Sequence, residues 1–471
     1  MKRQPITCLT MTVAPGALPI SPSPEEEGRG ARGGACGPRC VDFILRGWRT
    51  AMVVSLFLAV QSTAWARLTI EITGGAEGAQ PIAIVPFSQP EGMRLDDVAE
   101  VIGSDLARTG RFKPMPRGDM LATPHRAEEV DLHDWRLLSM DNLVVGEVKP
   151  DGAGGYDLGF VLFDVFRGEQ LAAMTFGSRP GELRFAAHRI ADVIYERLTG
   201  SPGAFSSRLA YVTSEGGRRV TLRVSDADGY NPQTIVSSQD PILSPSWSPD
   251  GRRLAYVSFE NRQTAIYVQE IATGSRERIA SYKGINGSPA FSPDGHSLAM
   301  TLSKEGNPDI YVMDLVSRDL RQLTDHFGID TEPSWSPDGS HIVFTSGRGG
   351  NPQIYKVPVA GGTPQRLTFE NDYNARASYA PDGRALVLVT RVNGRFRIGL
   401  IDQGRGGMRL LSNGELDESP SFAPNGSMVI YATLHSGRGV LAAVSVDGSV
   451  SQRLSQDLGD VREPAWSPLP R

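Results

Sequence analysis

One short phrase returns at nearly constant spacing through the carboxy-terminal half of the chain. It reads "SPSWSPDG" at residue 244, "SPAFSPDG" at 288, "EPSWSPDG" at 332, "ARASYAPDG" at 375, "SPSFAPNG" at 419 and "EPAWSPLP" at 463. One proline position is shared by all six phrases and recurs at intervals of 44, 44, 44, 43 and 44 residues; it is the second proline of every copy except the fourth, which has only this one. The six prolines are Pro249, Pro293, Pro337, Pro381, Pro424 and Pro468. A period in the low forties, with several strand patterns in each unit, is typical of the blades of a β-propeller.

The unit around residue 332 shows how the phrase works. "EPSWSP" predicts a first strand, "SHIVFTS" a second, "QIYKVPV" a third and "TPQRLTF" a fourth, with turn residues between them. Proline fixes φ near −65°, aspartate bonds to its own backbone, and glycine accepts the positive φ that closes a hairpin. The phrase is therefore a hairpin former, and no catalytic role is needed to explain it.

An aromatic side chain stands two residues before that proline in every copy of the phrase. A constant register favours packing between neighbouring blades. A ligand cage is the alternative, but a residue that every blade carries is better explained by the core. The six positions are Trp247, Phe291, Trp335, Tyr379, Phe422 and Trp466.

The two ends of the repeat complement each other. The second-strand pattern occurs six times, and its first copy, "RLAYVTS" at 208, has no phrase before it. The last phrase, at 463, has no second strand after it. We therefore expect the final segment to supply the innermost strand of the first blade and to seal a six-bladed ring, which removes the exposed edges of an open sheet.

The first 66 residues predict a leader that is removed. Residues 1 to 40 are rich in Pro, Gly and Arg and predict disorder. A basic stretch, an apolar run from Ala51 to Val60 and small residues at Ala64 and Ala66 then predict a signal peptide cut after Ala66; the run is too short for a membrane anchor. This leader is unusually long, which leaves the start codon open. All three cysteines precede the cut, so we expect no disulfide afterwards.

Between the leader and the propeller lies a segment without the repeat. Residues 67–200 predict a small α/β domain, and residues 201–471 the all-β propeller. Helical spacing predicts one helix within "LDDVAEVIGSDLART" and another within "GELRFAAHRIADVIYERLTG", the second ending at Gly200. After removal of the leader, 41 Lys and Arg face 49 Asp and Glu, a net charge of −8 that argues against binding to nucleic acid.

The sequence contains few patterns that are typical of catalysis. The chain contains no G-x-S-x-G, H-E-x-x-H, Walker loop or G-x-G-x-x-G after a strand. "DADG" at 226 is similar to the start of a calcium loop, but Ser237 stands where the final glutamate belongs, and a turn explains it better. Propellers with this phrase also accompany prolyl oligopeptidase-type hydrolases, which need a long α/β domain with Ser, Asp and His. The sequence ends three residues beyond Pro468, so we expect a peptidase only if the chain is a fragment. We expect no enzyme, cofactor or metal.

The order of signal peptide, α/β domain and six blades resembles the TolB family, periplasmic components of the Tol-Pal system of Gram-negative bacteria. The resemblance spans residues 67–471 and includes "IYVMDL" at 310, "TEPSWSPDG", "GGTPQRLT", "APNGSMVIY" and "PAWSP". It implies a monomeric binding protein that takes the lipoprotein Pal at one mouth of the channel and TolA at its amino terminus, supporting envelope integrity and invagination during division. The alternative is a secreted propeller that binds a carbohydrate or small ligand.

Two segments are predicted to contact these partners. "RLTIEITGG" alternates as a strand near a flexible "GGAEGAQ", so it could join a partner's sheet, fold back on its own domain, or be a permanent edge strand of that domain. Its candidate residues are Arg67, Leu68, Thr69, Ile70, Glu71 and Ile72. The second candidate region comprises the predicted loops that enter each first strand. Acidic groups crowd there and repel one another, which favours binding of a basic partner or of a cation such as Ca²⁺. Its candidate residues are Ser288, Asp330, Thr331, Glu332, Arg376, Glu418 and Glu463.

Overall fold

The computed structural model describes residues 69–74, 78–90, 95–216, 219–260, 262–404, 406–455 and 459–470. The predicted leader and signal peptide, and Arg67 and Leu68 with them, lie outside the described residues. Among the described helices, none combines the length and the apolar character needed to cross a bilayer.

The amino-terminal region forms a mixed five-stranded sheet with helices on both faces. The strands run in the order β3-β2-β4-β5-β6, with the pairs β3-β2 and β2-β4 parallel and the other two antiparallel. The elements are β2 Gln80–Ile84, α1 Val98–Arg108, β3 Phe112–Pro114, α2 Leu132–Leu137, β4 Asn142–Pro150, β5 Tyr156–Asp164, β6 Glu169–Ser178 and α3 Leu183–Thr199, preceded in the chain by β1 Thr69–Gly74. Two single-turn 3₁₀ helices, Arg117–Asp119 and Ala127–Glu129, precede α2.

Alternation along β2 divides this core into two layers. Ile82 and Ile84 pack against α1 and α3 on one face, whereas Ala83 and Val85 pack against Trp135 of α2 on the other. Both long helices follow the sequence prediction. Asp97 caps α1 by accepting the N–H of Glu100 at 3.0 Å, and α3 ends at Gly200, whose φ of 74° only glycine adopts without cost.

The remainder is a ring of six antiparallel blades. Blade I contains β7 Arg208–Glu215, β8 Arg219–Asp226 and β9 Gln233–Ser238, together with β30 Asp460–Trp466. Blade II contains β10 Ile242–Trp247, β11 Arg253–Ser258, β12 Ala265–Glu270 and β13 Arg276–Ala280. Blade III contains β14 Asn286–Phe291, β15 Ser297–Leu302, β16 Asp309–Asp314 and β17 Leu320–Gln322.

The second half of the ring repeats the pattern. Blade IV contains β18 Asp330–Trp335, β19 His341–Ser346, β20 Gln353–Pro358 and β21 Gln365–Arg366. Blade V contains β22 Asn374–Tyr379, β23 Ala385–Val392, β24 Arg395–Asp402 and β25 Met408–Leu410. Blade VI contains β26 Glu418–Phe422, β27 Met428–His435, β28 Arg438–Ser445 and β29 Ser451–Ser455.

The predicted closure of the ring is confirmed. The last strand, β30, pairs antiparallel with β7, the second strand of blade I, so that Val461 lies opposite Thr213 and Trp466 opposite Leu209. The backbone N–H of Arg208 donates to Ser467 Oγ at 2.8 Å beside this pair. Blade I is thus assembled from both ends of the repeat region, which leaves no unpaired strand between blades I and VI.

The repeated phrase forms the predicted hairpin turns. Gly251, for example, has φ 66°, and its N–H donates to the carbonyl oxygen of Ser248 at 2.9 Å. The serine of the phrase has a role that the sequence prediction missed. Ser248 Oγ donates to Asp250 and accepts the N–H of Arg253 at 2.9 Å, which ties the turn to the second strand.

The aromatic register packs neighbouring blades together, as predicted. The Trp247 indole N–H donates to the carbonyl oxygen of Ala465 in blade I at 3.0 Å, and Trp335 donates in the same way to Ala290 in blade III. Since these contacts cross from one blade to the next, the aromatic side chains hold the blades at fixed angles.

Strand β1 takes a position that the sequence did not predict. It pairs antiparallel with β29, with Thr69 opposite Ser455 and Ile72 opposite Gln452, and becomes the fifth and outermost strand of blade VI. The alternatives in which this segment folds back on its own domain, or is that domain's edge strand, are wrong for this structure. Strand periodicity is identical in every case, so only tertiary structure could decide.

Candidate protein-docking site on the propeller

Six residues with left-handed backbone conformation line the propeller channel. Each lies at a β-bulge in the first strand of its blade, five residues before the proline that all six phrases share, and φ lies between 47° and 57° in all six. None is glycine, although this conformation costs other L-residues roughly 1–2 kcal/mol. They are Ser244, Ser288, Glu332, Arg376, Ser419 and Glu463, termed the bulge ring below.

Arg376 is the centre of the bulge ring. Its guanidinium donates two hydrogen bonds to Glu463, at 2.6 and 3.1 Å, and a third to Ser419 Oγ at 2.7 Å. Its backbone N–H donates to Glu332 Oε2 at 3.0 Å. A residue of blade V is therefore bonded to blades VI, I and IV at once.

The network continues into the remaining two blades. The backbone N–H of Ser244, in blade II, donates to Glu463 at 3.3 Å, and the N–H of Glu332 donates to Thr301 Oγ1, in blade III, at 3.3 Å. One connected set of polar groups thus contacts all six blades around a cavity of about 650 Å³. Such a network fixes the angles between blades because every member depends on its neighbours.

Burial and charge shift the titration of these groups. Burial alone would raise the pKa of Glu463, but the Arg376 guanidinium outweighs it and holds that pKa below its ordinary value. Burial would likewise lower the pKa of Arg376, whereas Glu463 raises it. Glu418 has a raised pKa because it is buried and lies near Glu463. The pair Arg376–Glu463 is therefore charged at neutral pH.

The structure corrects the predicted acidic crowding. Asp330 is fully buried, where Arg348 Nη2 donates to it at 2.6 Å and Ser346 Oγ at 2.6 Å. Glu332 and Glu463 both lie against Arg376, and Glu418 lies 3.8 Å from Arg462. Since these carboxylates have cationic partners within the protein, their negative charge does not require a bound cation.

The predicted loops are also not loops. Asp330, Thr331 and Glu332 are the first three residues of β18, and Thr331 is half-buried opposite Thr345. Ser288 belongs to β14 and Arg376 to β22 in the same way. The short strands begin earlier than their sequence pattern suggests, because a bulge interrupts the alternation that marks them.

The exposed surface at this mouth lies in the connections between blades. Four large apolar side chains are exposed where a fourth strand leads into the next first strand, and Phe327 and Phe369 are 86% and 75% exposed. A fifth, Leu243, is exposed at the second residue of β10, directly after such a connection. A cluster of exposed apolar side chains on one face marks an interaction surface. The segments predicted from the sequence begin one to five residues after most of these exposed side chains. The five, termed the apolar crown, are Leu243, Ile285, Phe327, Ile329 and Phe369.

The apolar crown faces away from the amino-terminal domain. That domain contacts the opposite ends of the strands, where Arg184 pairs with Asp228. The Pro202 carbonyl oxygen, in the linker that follows α3, accepts a hydrogen bond from Asn425 Nδ2 at 2.8 Å at the same end. Asn425 lies in a turn between first and second strands, and Asp228 in a turn between third and fourth strands. In antiparallel blades both turns lie at the end opposite to the crown.

These observations define a class: a closed six-bladed propeller, preceded by a small α/β domain, with an apolar crown at one mouth of its channel. Family models agree with both parts, since the TolB amino-terminal domain matches residues 68–171 and the TolB beta propeller domain matches residues 195–470. The chain belongs to the TolB family of Tol-Pal system proteins.

Individual relatives agree along most of the chain. The Tol-Pal system protein TolB of Nitrosococcus oceani is 59% identical over 421 residues, covering 88% of this chain and 97% of the relative. That of Thioalkalivibrio sulfidiphilus is 62% identical over 420 residues, with the same coverage. The crystal structure of TolB from Acinetobacter baumannii superposes with a TM-score of 0.79 at 42% identity, covering 85% of this chain and all of that one.

Proposed function

We propose that this chain is a periplasmic, non-enzymatic adaptor of the Tol-Pal system. It binds Pal at the apolar crown and TolA through its amino-terminal segment, and thereby supports outer-membrane integrity and invagination during division. The observation that carries the Pal assignment is the apolar crown, which is exposed at one channel mouth while the other end of the ring meets the amino-terminal domain.

The crown has the chemistry of a protein-binding surface. Phe327 and Phe369 are large, apolar and accessible, and aromatic residues of this kind dominate the binding energy of interfaces. The connections that carry them differ in sequence from blade to blade, although the fold would tolerate one sequence six times. That variation suits an asymmetric partner, and the bulge ring holds the connections on a rigid base.

A matched pair of variants tests the Pal assignment. Phe327→Ser should weaken Pal binding about tenfold, on the order of 1.4 kcal/mol, as loss of an interface anchor does. Val316→Ser is the control, because Val316 is 83% exposed but lies in the turn between β16 and β17 at the other end of the strands. Calorimetric titration with the periplasmic part of Pal measures both. If a Phe327→Ser, Phe369→Ser double variant binds Pal as tightly as wild type, the crown is not the interface.

The TolA assignment rests on the position of β1. Its backbone pairs with β29 at the outermost edge of blade VI, so it is held there as an added strand and does not form part of a blade's four-stranded core. A strand of this kind can exchange one edge for another, and addition to a partner's sheet is a common form of peptide recognition. We assign Thr69, Ile70, Glu71 and Ile72 to that exchange.

Deletion of residues 67–74 tests this assignment separately. TolA binding should be lost, whereas Pal binding and thermal unfolding should change little, because the four original strands of blade VI remain. Phe327→Ser is the reciprocal control and should bind TolA normally. A deletion variant that unfolds at a much lower temperature and still binds TolA would show that β1 is a structural strand only.

A further inference from the structure

A histidine is buried where the α/β domain meets the propeller. His188 lies on α3 with 1% of its side chain exposed, and its Nδ1 is 2.6 Å from Asp105 Oδ2 on α1. Its other ring nitrogen, Nε2, lies 3.9 Å from Asp228 Oδ2 in the turn between β8 and β9 of blade I. Nε2 has no hydrogen-bond partner among the described residues. The ring therefore stands between carboxylates of the two domains.

Other charged groups surround the ring on every side. From α1, Arg108 pairs with Asp105 at 3.1 Å. From α3, Arg184 pairs with Asp228 and stacks on Tyr230, with 3.9 Å between guanidinium carbon and ring centre. The remaining members are Asp192 on α3, Arg208 at the start of β7 and Asp226 at the end of β8.

The carboxylates nearest to the imidazole show what its charge supplies. Asp105 Oδ2 lies 2.6 Å from Nδ1 and Asp228 Oδ2 lies 3.9 Å from Nε2, so a positively charged imidazole is attracted to both domains. Donor atoms of His188, Asp226 and Asp228 lie within 4.8 Å of one another, a spacing that a divalent cation could use. Both Asp228 oxygens already have partners, because Arg184 pairs with Oδ2 and the Tyr230 N–H donates to Oδ1 at 2.9 Å. A single proton on Nε2 therefore fits the cluster better than a divalent cation.

We propose that His188 is a proton-operated clamp between the α/β domain and the propeller. With both nitrogens protonated, the ring donates to Asp105 and attracts Asp228, and so joins α1, α3 and blade I. With Nε2 deprotonated, that nitrogen is an acceptor facing a carboxylate, and the attraction across the domain boundary is lost.

The titration has a definite sign. Burial alone would lower the pKa of His188, but Asp105 and Asp228 outweigh it, so the pKa in the folded protein is above 6.5. A raised folded-state pKa stabilises fully below 6.5, and that stability is lost as the pH rises through the folded pKa. Asp226 acts in the same direction, because burial raises its pKa to about 6. The clamp is therefore closed in acid and open in alkali.

The test compares wild type with His188→Gln by thermal unfolding from about pH 5 to about pH 9, a range that brackets histidine titration. The unfolding temperature of the variant should be several degrees lower at the acid end, and this difference should shrink as the pH rises. His133→Gln, which removes an exposed histidine of α2, is the control for loss of an imidazole and should give no such trend. A difference that is constant or grows with pH overturns the clamp.

Two further measurements on wild type test the proposal even if His188→Gln does not fold. In wild type, nitrogen NMR of labelled histidine should show the His188 ring with both nitrogens protonated at about pH 5 and with one proton lost as the pH rises. A ring that is neutral at about pH 5 overturns the proposal. Zn²⁺ and EDTA should leave the unfolding temperature of wild type unchanged. Stabilisation by Zn²⁺ that His188→Gln abolishes would identify a metal site and contradict the clamp.

Discussion

Two charge clusters hold this molecule together, and they differ in the residue at their centre. Arg376 joins the blades around the channel, and His188 joins the α/β domain to blade I. Both place a cation between carboxylates from distant parts of the chain. A guanidinium keeps its charge at every accessible pH, whereas an imidazole is charged only while protonated. The cation at the centre of the blade network is therefore permanently charged, whereas the cation at the domain boundary titrates.

The two centres also differ in how fully their donors are used. Arg376 Nη1 and Nη2 make three hydrogen bonds, two of them a fork onto one carboxylate. His188 makes one short bond and leaves its second nitrogen 3.9 Å from Asp228. A fork resists rearrangement, whereas a single bond leaves the partners room to separate. Four predictions test this contrast.

The largest effect is expected from Arg376→Met. The change leaves Glu463 charged, 13% exposed and without its cation, and removal of one partner of a buried ion pair costs about 3 kcal/mol or more. Guanidinium chloride unfolding measures the loss. Adding Glu463→Gln should restore most of it, since no unpaired charge remains. If the single variant is as stable as wild type, the ring does not depend on Arg376.

The next largest effect is expected from Glu463→Gln. This variant should have a free energy of unfolding about 2 kcal/mol lower than wild type at neutral pH, because a charged hydrogen bond is weakened. The pKa of Glu463 is lowered in the folded protein, so its contribution is present above its ordinary value of 4.5 and is lost as the pH falls through the folded pKa. Unfolding from about pH 4 to about pH 9 should therefore give a cost that fades only in acid, opposite to His188→Gln. Parallel trends would erase the contrast between the two charge clusters.

A smaller loss is expected from Arg376→Lys. Lysine keeps the charge but cannot donate the fork to Glu463 or reach Ser419 with the same group, so stability should fall by about 1 kcal/mol. Comparison with Arg376→Met separates charge from geometry. Equal losses in the two variants would mean that charge contributes nothing to the Arg376 cluster.

The smallest effect is a gain. Ser288→Gly relieves a left-handed serine of φ 47° and should stabilise by about 0.5 kcal/mol after the added freedom of the unfolded chain is subtracted. Ser419→Gly relieves a similar φ of 56° but removes the hydroxyl that accepts from Arg376, so it should give no gain. A gain in both variants would show that the Ser419 bond adds nothing.

The architecture of the propeller could be predicted from the sequence because it follows from local patterns. The spacing of Pro249 and its five counterparts gave the blades, and the incomplete copies at 208 and 463 gave the closure. The apolar stripe that ends at Gly200 gave α3. Each of these depends on residues near one another in sequence.

The site depended on contacts that no local pattern records. The ring bond between Arg376 and Glu463 spans 87 residues, and both share one position of the repeat, where alignment of the copies would have exposed them as charged. His188 interrupts an otherwise apolar face of α3, and the "DADG" turn appeared only as a weak calcium pattern. His188 and this turn lie next to each other across a domain boundary, so neither sequence pattern alone predicted the cluster.

Closure of the ring through β30 also has a consequence for the order of folding steps. The bond between Arg208 and Ser467 joins residues 259 positions apart, so blade I remains incomplete until almost the whole chain is present. Closing such a loop costs about 3 kcal/mol more than closing a hairpin of ~10 residues. Because this contact is non-local, we expect closure of the ring to be slower than formation of the hairpins within each blade. Until it occurs, β7 is an open edge on which a second unfinished chain could assemble.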